Sequence, residues 1–153
     1  MRGEASTLID APPQVVWALV SDVTRMGEWS PECVRCEWVE GATSAVQGAR
    51  FKGSNKRGFA RWSTTCTVVT ADAPEELAFK VGDPDKADAI VWRYTLRPEG
   101  EGTRLSESFD LPKEQAWYYR FINRAIGVKD RQADMTKGME TTLARIKAVA
   151  EGR

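Results

Sequence analysis

The chain has 153 residues and contains no histidine. That absence excludes a Ser-His-Asp triad, a Cys-His pair, histidine ligands for zinc and a proximal histidine for haem. General acid–base chemistry near neutral pH would therefore need a carboxylate, tyrosine, lysine or cysteine with a shifted pKa.

An excess of charge of one sign is also lacking, because 22 Lys and Arg balance 22 Asp and Glu. A chain without a positive excess is a poor candidate for binding nucleic acid. No run of about 18 apolar residues is present, and the first residues lack the apolar core of a signal peptide. We therefore expect no membrane span and a cytoplasmic location.

Cysteine is scarce, with only Cys33, Cys36 and Cys66. The first two form a C-x-x-C that runs into a strand-like alternation ending at Val39. Residues three apart on a regular strand point to opposite faces, so the two sulfurs are predicted to diverge, which favours structural thiols over a redox or metal role. Three cysteines without histidine cannot supply a standard structural zinc site, and we expect no metal and no cofactor.

Aromatic residues are plentiful by contrast, since six Trp is high for this length. Each carries a large apolar surface and one N–H donor. This usage predicts either a dense core or a cavity lined by aromatic rings.

The patterns along the chain predict one α+β domain over residues 1–153. A first strand at residues 4–9 precedes two short helices, one beginning at Pro12-Pro13 and one over residues 24–29. About six strands with alternating apolar residues follow, with one turn predicted at Asn55–Gly58. After Pro112 a long helical stripe of apolar residues begins, with Gly127 as a kink or break.

Consecutive strands joined by turns imply a curved antiparallel sheet of about seven strands with one apolar face to bury. The long C-terminal helix is the element that covers it, which is a helix-grip arrangement. One straight helix does not fill a curved sheet, so we predict a cavity with apolar walls and a few polar groups. The residues predicted to bind a ligand there are Trp29, Trp38, Phe51, Asn55, Trp62, Thr64, Trp92, Tyr94, Glu107, Trp117, Tyr118, Phe121 and Met135.

Several of these residues have a second interpretation. Asn55 is typical of a turn, Met135 of a core-facing helix position, and Tyr94 of a core residue whose hydroxyl is tied to a neighbour. Glu107 stands between the apolar Leu105 and Phe109, and a buried carboxylate must be paired, protonated or wet. It is predicted either to reach water or an arginine such as Arg124 or Arg131 at the rim, or to bind ligand or exchange protons.

The ordered motifs resemble the START/polyketide cyclase/birch-pollen-allergen (SRPBCC) superfamily, and most closely its bacterial polyketide cyclase/dehydrase branch. The residues that carry the resemblance run through nearly the whole chain. They are Ile9-Asp10-Ala11-Pro12 into Val16-Trp17, Asp22 to Trp29-Ser30-Pro31-Glu32, the segment 48–55, Trp62, Trp92-x-Tyr94, Gly102-Thr103-Arg104-Leu105 and Met139-Glu140-x-x-Leu143-x-x-Ile146.

The resemblance implies the helix-grip fold and, for different members, polyketide cyclisation or dehydration, lipid carriage, or hormone or quinone binding. We expect first a protein that binds a small hydrophobic molecule, aromatic or polyketide-like. The alternative is a cyclase or dehydratase in which Glu107 and Tyr94 are catalytic, which leaves enzymatic activity open. A homodimer is compatible with the sequence.

A third alternative is a protein-interaction module. Its basis is a cluster of basic residues around one predicted hairpin, although a run of charge usually marks a solvated face. The cluster comprises Arg50, Lys52, Lys56, Arg57 and Arg61.

Overall fold

The computed structural model describes residues 2–86, 89–111, 125 and 130–153. The described elements begin with one strand and two short helices, continue with six strands and finish with a long helix. In chain order they are β1 (Arg2–Ile9), α1 (Pro13–Val20), a 3₁₀ helix (Val23–Glu28), β2 (Cys33–Val39), β3 (Arg50–Arg57), β4 (Ala60–Asp72), β5 (Glu76–Val81), β6 (Val91–Glu99), β7 (Gly102–Asp110) and α2 (Arg131–Ala150).

The seven strands form one curved antiparallel sheet in the order β1-β7-β6-β5-β4-β3-β2. From β2 to β7 each strand pairs with the next along the chain, and β1 then pairs with β7. Buried and partly exposed residues alternate strictly along β7, as period-two side chains on a half-buried strand require. The result is the helix-grip fold that the sequence predicted.

Helix α2 covers the buried face of the sheet. Its buried residues recur at helical spacing and include Met135, Met139, Leu143 and Ile146. The side chain of Asp130 accepts a hydrogen bond from the Ala133 backbone N–H, which caps the first turn of the helix. Among the strands, α2 contacts mainly β1, so the helix lies over the β1 end of the buried face.

Several element boundaries differ from the predicted ones. Strand β1 begins at Arg2, and the second short helix is a 3₁₀ helix. The β3–β4 turn lies at Gly58 and Phe59, with Gly58 at a φ of 57°, so Asn55 belongs to β3 and not to the turn. The predicted kink at Gly127 lies outside the described residues.

The prediction that Cys33 and Cys36 diverge was wrong. Cys33 pairs with Asn55 and Arg35 with Ser54, so Val34 is an extra residue in a β-bulge. A bulge shifts the alternation by one position. Both thiols are therefore buried on the same face, while Val34 is exposed.

Among the helices that the structure describes, none combines the length and the apolar character needed to cross a membrane.

Candidate ligand-binding site

The cross-strand register places the predicted strand residues of the site on one face of the sheet. Opposite residues on paired strands share a face, and so do residues two apart on one strand. Trp92 and Tyr94 lie two apart, and Tyr94 is opposite Glu107. The other predicted strand residues reach the same face through the pairs Trp38–Phe51, Phe51–Cys66, Gly53–Thr64 and Asn55–Trp62.

Two groups of aromatic rings form much of this face. Phe51 contacts Trp38 and Phe79 edge to face, with ring centroids 5.8 and 5.1 Å apart. Trp92 and Phe109 lie 5.5 Å apart. Such contacts add to the stability gained by burying the rings.

Glu107 is the buried carboxyl group of this face. The residue is only 6% exposed, and Tyr94 beside it is 4% exposed. The Tyr94 hydroxyl donates a hydrogen bond of 3.1 Å to Glu107 Oε1. Glu107 Oε2 is buried and has no hydrogen-bond partner among the described residues. Within the described part of the chain, the pair therefore uses one of the two Glu107 oxygens and leaves Oε2 without a polar contact.

Burial raises the pKa of Glu107 to about 8, although the Tyr94 hydrogen bond acts in the opposite direction. At neutral pH the side chain is therefore mainly the uncharged acid, which avoids the large cost of a buried carboxylate. Burial, followed by the nearby Glu107 charge, raises the pKa of Tyr94 well above its ordinary value. Tyr94 therefore keeps its proton at neutral pH.

Arg131 is not the partner of Glu107. It donates hydrogen bonds to Glu32 and Asp134, at 3.0 and 3.1 Å. Arg57 reaches the same two carboxylates and binds Asp134 through both oxygens, at 2.7 and 2.8 Å. This four-residue ion-pair cluster ties the end of β3 to the first turn of α2. The other candidate partner, Arg124, lies outside the described residues.

Two predicted residues come to the interior from other elements. Trp29 follows the 3₁₀ helix and is 2% exposed, with the Arg25 guanidinium 5.5 Å from its ring. Met135 of α2 is buried with Met139, Phe109 and the partly buried Trp92. Trp117, Tyr118 and Phe121 lie outside the described residues.

The thiols of Cys33, Cys36 and Cys66 lie on the same face of the sheet as the predicted site residues. All three are buried on the interior face, near Gly53 and Thr64. The Gly53 Cβ position would lie 3.5 Å from Cys36 Sγ and 3.7 Å from Cys33 Sγ. Alternation with Trp38 and Thr64 could have placed Cys36 and Cys66 on this face, whereas the bulge displaces Cys33 from the regular pattern.

The predicted internal cavity remains a prediction. A surface cleft of about 460 Å³ is lined by β1, β6 and β7 residues that include Arg2 and Asp110. Another, of about 630 Å³, lies along β3, β4 and residues 82–84. Neither cleft is lined by Glu107 or Tyr94.

Metal ligands and surface charge add little to the site. Across residues 2–86, 89–111, 125 and 130–153, no three Cys, Asp or Glu side chains are grouped closely enough to hold a metal ion. In the basic hairpin cluster, Arg50 pairs with Glu40, and Arg57 belongs to the ion-pair cluster above. Carboxylates thus offset part of the positive charge that favoured a protein-interaction module.

Comparison with protein families identifies the family of this chain. Residues 2–151 match the family described as polyketide cyclase/dehydrase and lipid transport. The chain belongs to this family. A comparison with curated proteins finds no match.

Solved structures agree with that assignment. A Polyketide_cyc-like protein from Corynebacterium glutamicum is 33% identical, with 98% of this chain and 91% of that one covered and a TM-score of 0.64. An aromatase/cyclase from Streptomyces sp. R1128 has a TM-score of 0.75 over 100% of this chain and 94% of that one, at 16% identity. A Thermus thermophilus protein has a TM-score of 0.69 at 20% identity, with 98% and 97% covered. The last two similarities show the shared fold.

Proposed function

We propose that the protein binds a small hydrophobic molecule, aromatic or polyketide-like, between the sheet and α2. Glu107 carries the proposal, because it is a buried acid with one oxygen unpartnered among the described residues, set among aromatic rings. Such a group is costly unless something hydrogen-bonds to it. Membership of the polyketide cyclase/dehydrase and lipid-transport family supports a ligand of this class.

The protonation state of Glu107 narrows the class of ligand that we expect. With its pKa raised to about 8, Glu107 is mainly protonated at neutral pH and can donate from Oε2. A ketone or quinone oxygen accepts such a bond, while the aromatic rings stack on the rest of the ligand. We therefore expect fused-ring molecules with a carbonyl oxygen to bind better than pure hydrocarbons of the same shape.

Binding can be measured by the quenching of tryptophan fluorescence with naphthoquinones and anthraquinones, with anthracene as the matched hydrocarbon. Because only protonated Glu107 donates, we expect quinone affinity to fall about tenfold per pH unit above pH 8. Glu107→Gln keeps a donor and should bind quinones with little dependence on pH. Glu107→Leu should weaken quinone binding about tenfold and leave anthracene binding unchanged.

Two results would count against this proposal. One is the absence of any fluorescence response to both classes of ligand. The other is quinone binding with the same pH dependence in the wild type and in Glu107→Gln.

The unpartnered oxygen of Glu107 also favours a second candidate, a cyclase or dehydratase. An acid with a pKa near neutrality can exchange a proton with a substrate, and Tyr94 can donate to a developing enolate oxygen. Holding a flexible polyketide chain in a reactive conformation lowers the barrier further. The aromatase/cyclase from Streptomyces supports this candidate through its fold alone.

The two candidates differ in the fate of the bound molecule. A poly-β-ketone thioester mimic incubated with the protein should cyclise faster than in buffer if the protein is an enzyme. Glu107→Gln should then slow the reaction about a hundredfold while the fold, followed by circular dichroism, is retained. Equal rates in the wild type and the variant would remove Glu107 from catalysis, and a wild-type rate no faster than that in buffer would leave binding as the function.

A further inference from the structure

The β-bulge at Val34 creates a pair of thiols that the rest of the site does not use. Cys33 Sγ and Cys36 Sγ lie 3.2 Å apart, and their residues are 6% and 4% exposed. The pair lies at the start of β2, which is an edge strand of the sheet.

Local contacts hold the two sulfurs in this position. The Cys33 backbone N–H donates to the Ser30 hydroxyl at 3.0 Å, and the Met26 sulfur lies 3.7 Å from Cys36 Sγ. A disulfide has an S–S distance of about 2.05 Å, so a movement of roughly 1 Å would bring the sulfurs to bonding distance. Gly53, opposite Cys36, places no side chain against the pair.

The three thiols differ in their readiness to ionise. Hydrogen bonding from Cys36 lowers the pKa of Cys33, whereas the same contact raises the pKa of Cys36. Burial raises the pKa of Cys66 to about 12. Since the thiolate is the nucleophile, Cys33 is the thiol suited to react first.

We propose that Cys33 and Cys36 form a redox-active pair that a hydroperoxide oxidises to an intramolecular disulfide. The Cys33 thiolate attacks the terminal peroxide oxygen, an S–O bond forms, the O–O bond breaks and the alkoxide leaves as the alcohol. The Cys36 thiol then attacks the Cys33 sulfur, the S–S bond forms, and hydroxide leaves with the thiol proton as water. Two thiols are oxidised and one hydroperoxide is reduced. This site is independent of the proposed ligand function.

The experiment uses the reduced full-length chain, one equivalent of hydrogen peroxide, alkylation after denaturation, and trypsin. Trypsin cleaves after Arg35, between the two cysteines, so the peptides of residues 26–35 and 36–50 separate unless a disulfide joins them. We expect the joined pair, lighter by two hydrogens than the free peptides, and its loss on treatment with dithiothreitol. Cys66 should be recovered alkylated in the peptide of residues 62–80.

Three variants separate the roles of the thiols. Cys66→Ser is the matched control and should give the joined peptides at the wild-type rate. Cys36→Ser should stop at a sulfenic acid on Cys33, which dimedone traps, and Cys33→Ser should consume peroxide at least about tenfold more slowly. The proposal is overturned if both cysteines of the wild type are recovered alkylated, if Cys66 is joined to either one, or if two chains are linked.

Discussion

At Glu107, burial and hydrogen bonding act on the carboxyl group in opposite directions. Burial favours the uncharged acid, while the bond from Tyr94 favours the carboxylate, and burial prevails so that the pKa rises to about 8. The shifted pKa of this residue couples stability to pH, and the same residue carries the proposed function. Its interior position followed from its place between Leu105 and Phe109, but its partner did not.

Glu107→Gln should change how stability depends on pH. Between its ordinary pKa of 4.5 and about 8, native Glu107 keeps its proton while the unfolded chain loses it. This residue therefore lowers the free energy of unfolding by roughly 1.4 kcal/mol per pH unit across that window, and by nothing further outside it. Urea unfolding at pH 4 and pH 9 should show that the Gln variant gains stability relative to the wild type as pH rises.

Tyr94→Phe is the control for that measurement. It leaves the buried carboxyl in place and removes the bond that lowers its pKa, so the decline in stability should extend to higher pH. The same pH dependence in Glu107→Gln as in the wild type would show that Glu107 is ionised, or exposed, in the folded protein.

At the scale of elements, close backbone approach and ion pairs join the parts that surround the site. The 3₁₀ helix lies against the bulged part of β2, and a Cβ on Gly27 would come within 2.4 Å of the Val34 carbonyl oxygen. The ion-pair cluster of Glu32, Arg57, Arg131 and Asp134 joins β3 to α2. These two contacts join neighbouring elements at the end of the molecule that contains the start of β2 and the Cys33–Cys36 pair.

Gly27→Ala should destabilise the protein by about 1–3 kcal/mol, because the added methyl group must displace backbone. Gly138→Ala is the matched control within α2. Its Cβ would make an ordinary contact of 3.5 Å with Pro31, so the gain in helix propensity should stabilise the protein by about 0.5–1 kcal/mol. Denaturant midpoints measure both changes, and equal effects of the two substitutions would contradict the close approach at Gly27.

Asp134→Asn should cost about 1 kcal/mol at pH 7, because Arg57 loses a bidentate partner that is only partly exposed. Hydrogen bonding from Arg57 lowers the pKa of Asp134. Its contribution is therefore present above the ordinary pKa of 3.8 and is lost as pH falls through the folded value. Urea unfolding of both proteins at pH 7 and pH 2 should show the difference shrinking in acid.

Glu28→Gln is the control for Asp134→Asn, since it removes an exposed pair with Arg25. We expect a smaller loss of stability from it, because water screens an exposed ion pair. A loss at Asp134 no larger than at Glu28 would show that the ion-pair cluster adds nothing to the attachment of α2.

At the scale of the whole molecule, one cluster of buried side chains joins the sheet to the helices on its face. Val16 of α1, Leu105 of β7 and Ile146 of α2 belong to it, and each is essentially inaccessible. Elements that share a core in this way lose stability together. This connection is the basis for predicting that residues 1–153 fold as one unit.

Heating should therefore give a single transition whose calorimetric and van't Hoff enthalpies agree. Ile146→Ala should shift the whole transition downward, by an amount that corresponds to about 2–5 kcal/mol, without splitting it. Two separate transitions, or a loss confined to the helical signal, would show that α2 melts independently of the sheet.

The sequence by itself determined the features that depend on local periodicity. Alternation placed Phe51, Tyr94 and Glu107 on the inner face, and helical spacing identified the buried stripe of α2, because each signal lies within one element. The motifs and their order along the chain also indicated the family, and the match of residues 2–151 to that family confirms it.

Only the tertiary structure decided which of these groups meet. Tyr94 bonds Glu107 because the register of β6 and β7 sets them opposite each other, and Arg57 reaches Asp134 across 77 positions of the chain. The bulge at Val34 turned two thiols expected to diverge into neighbours. Register and bulges are set by pairing between strands, so no pattern within a single segment reports them.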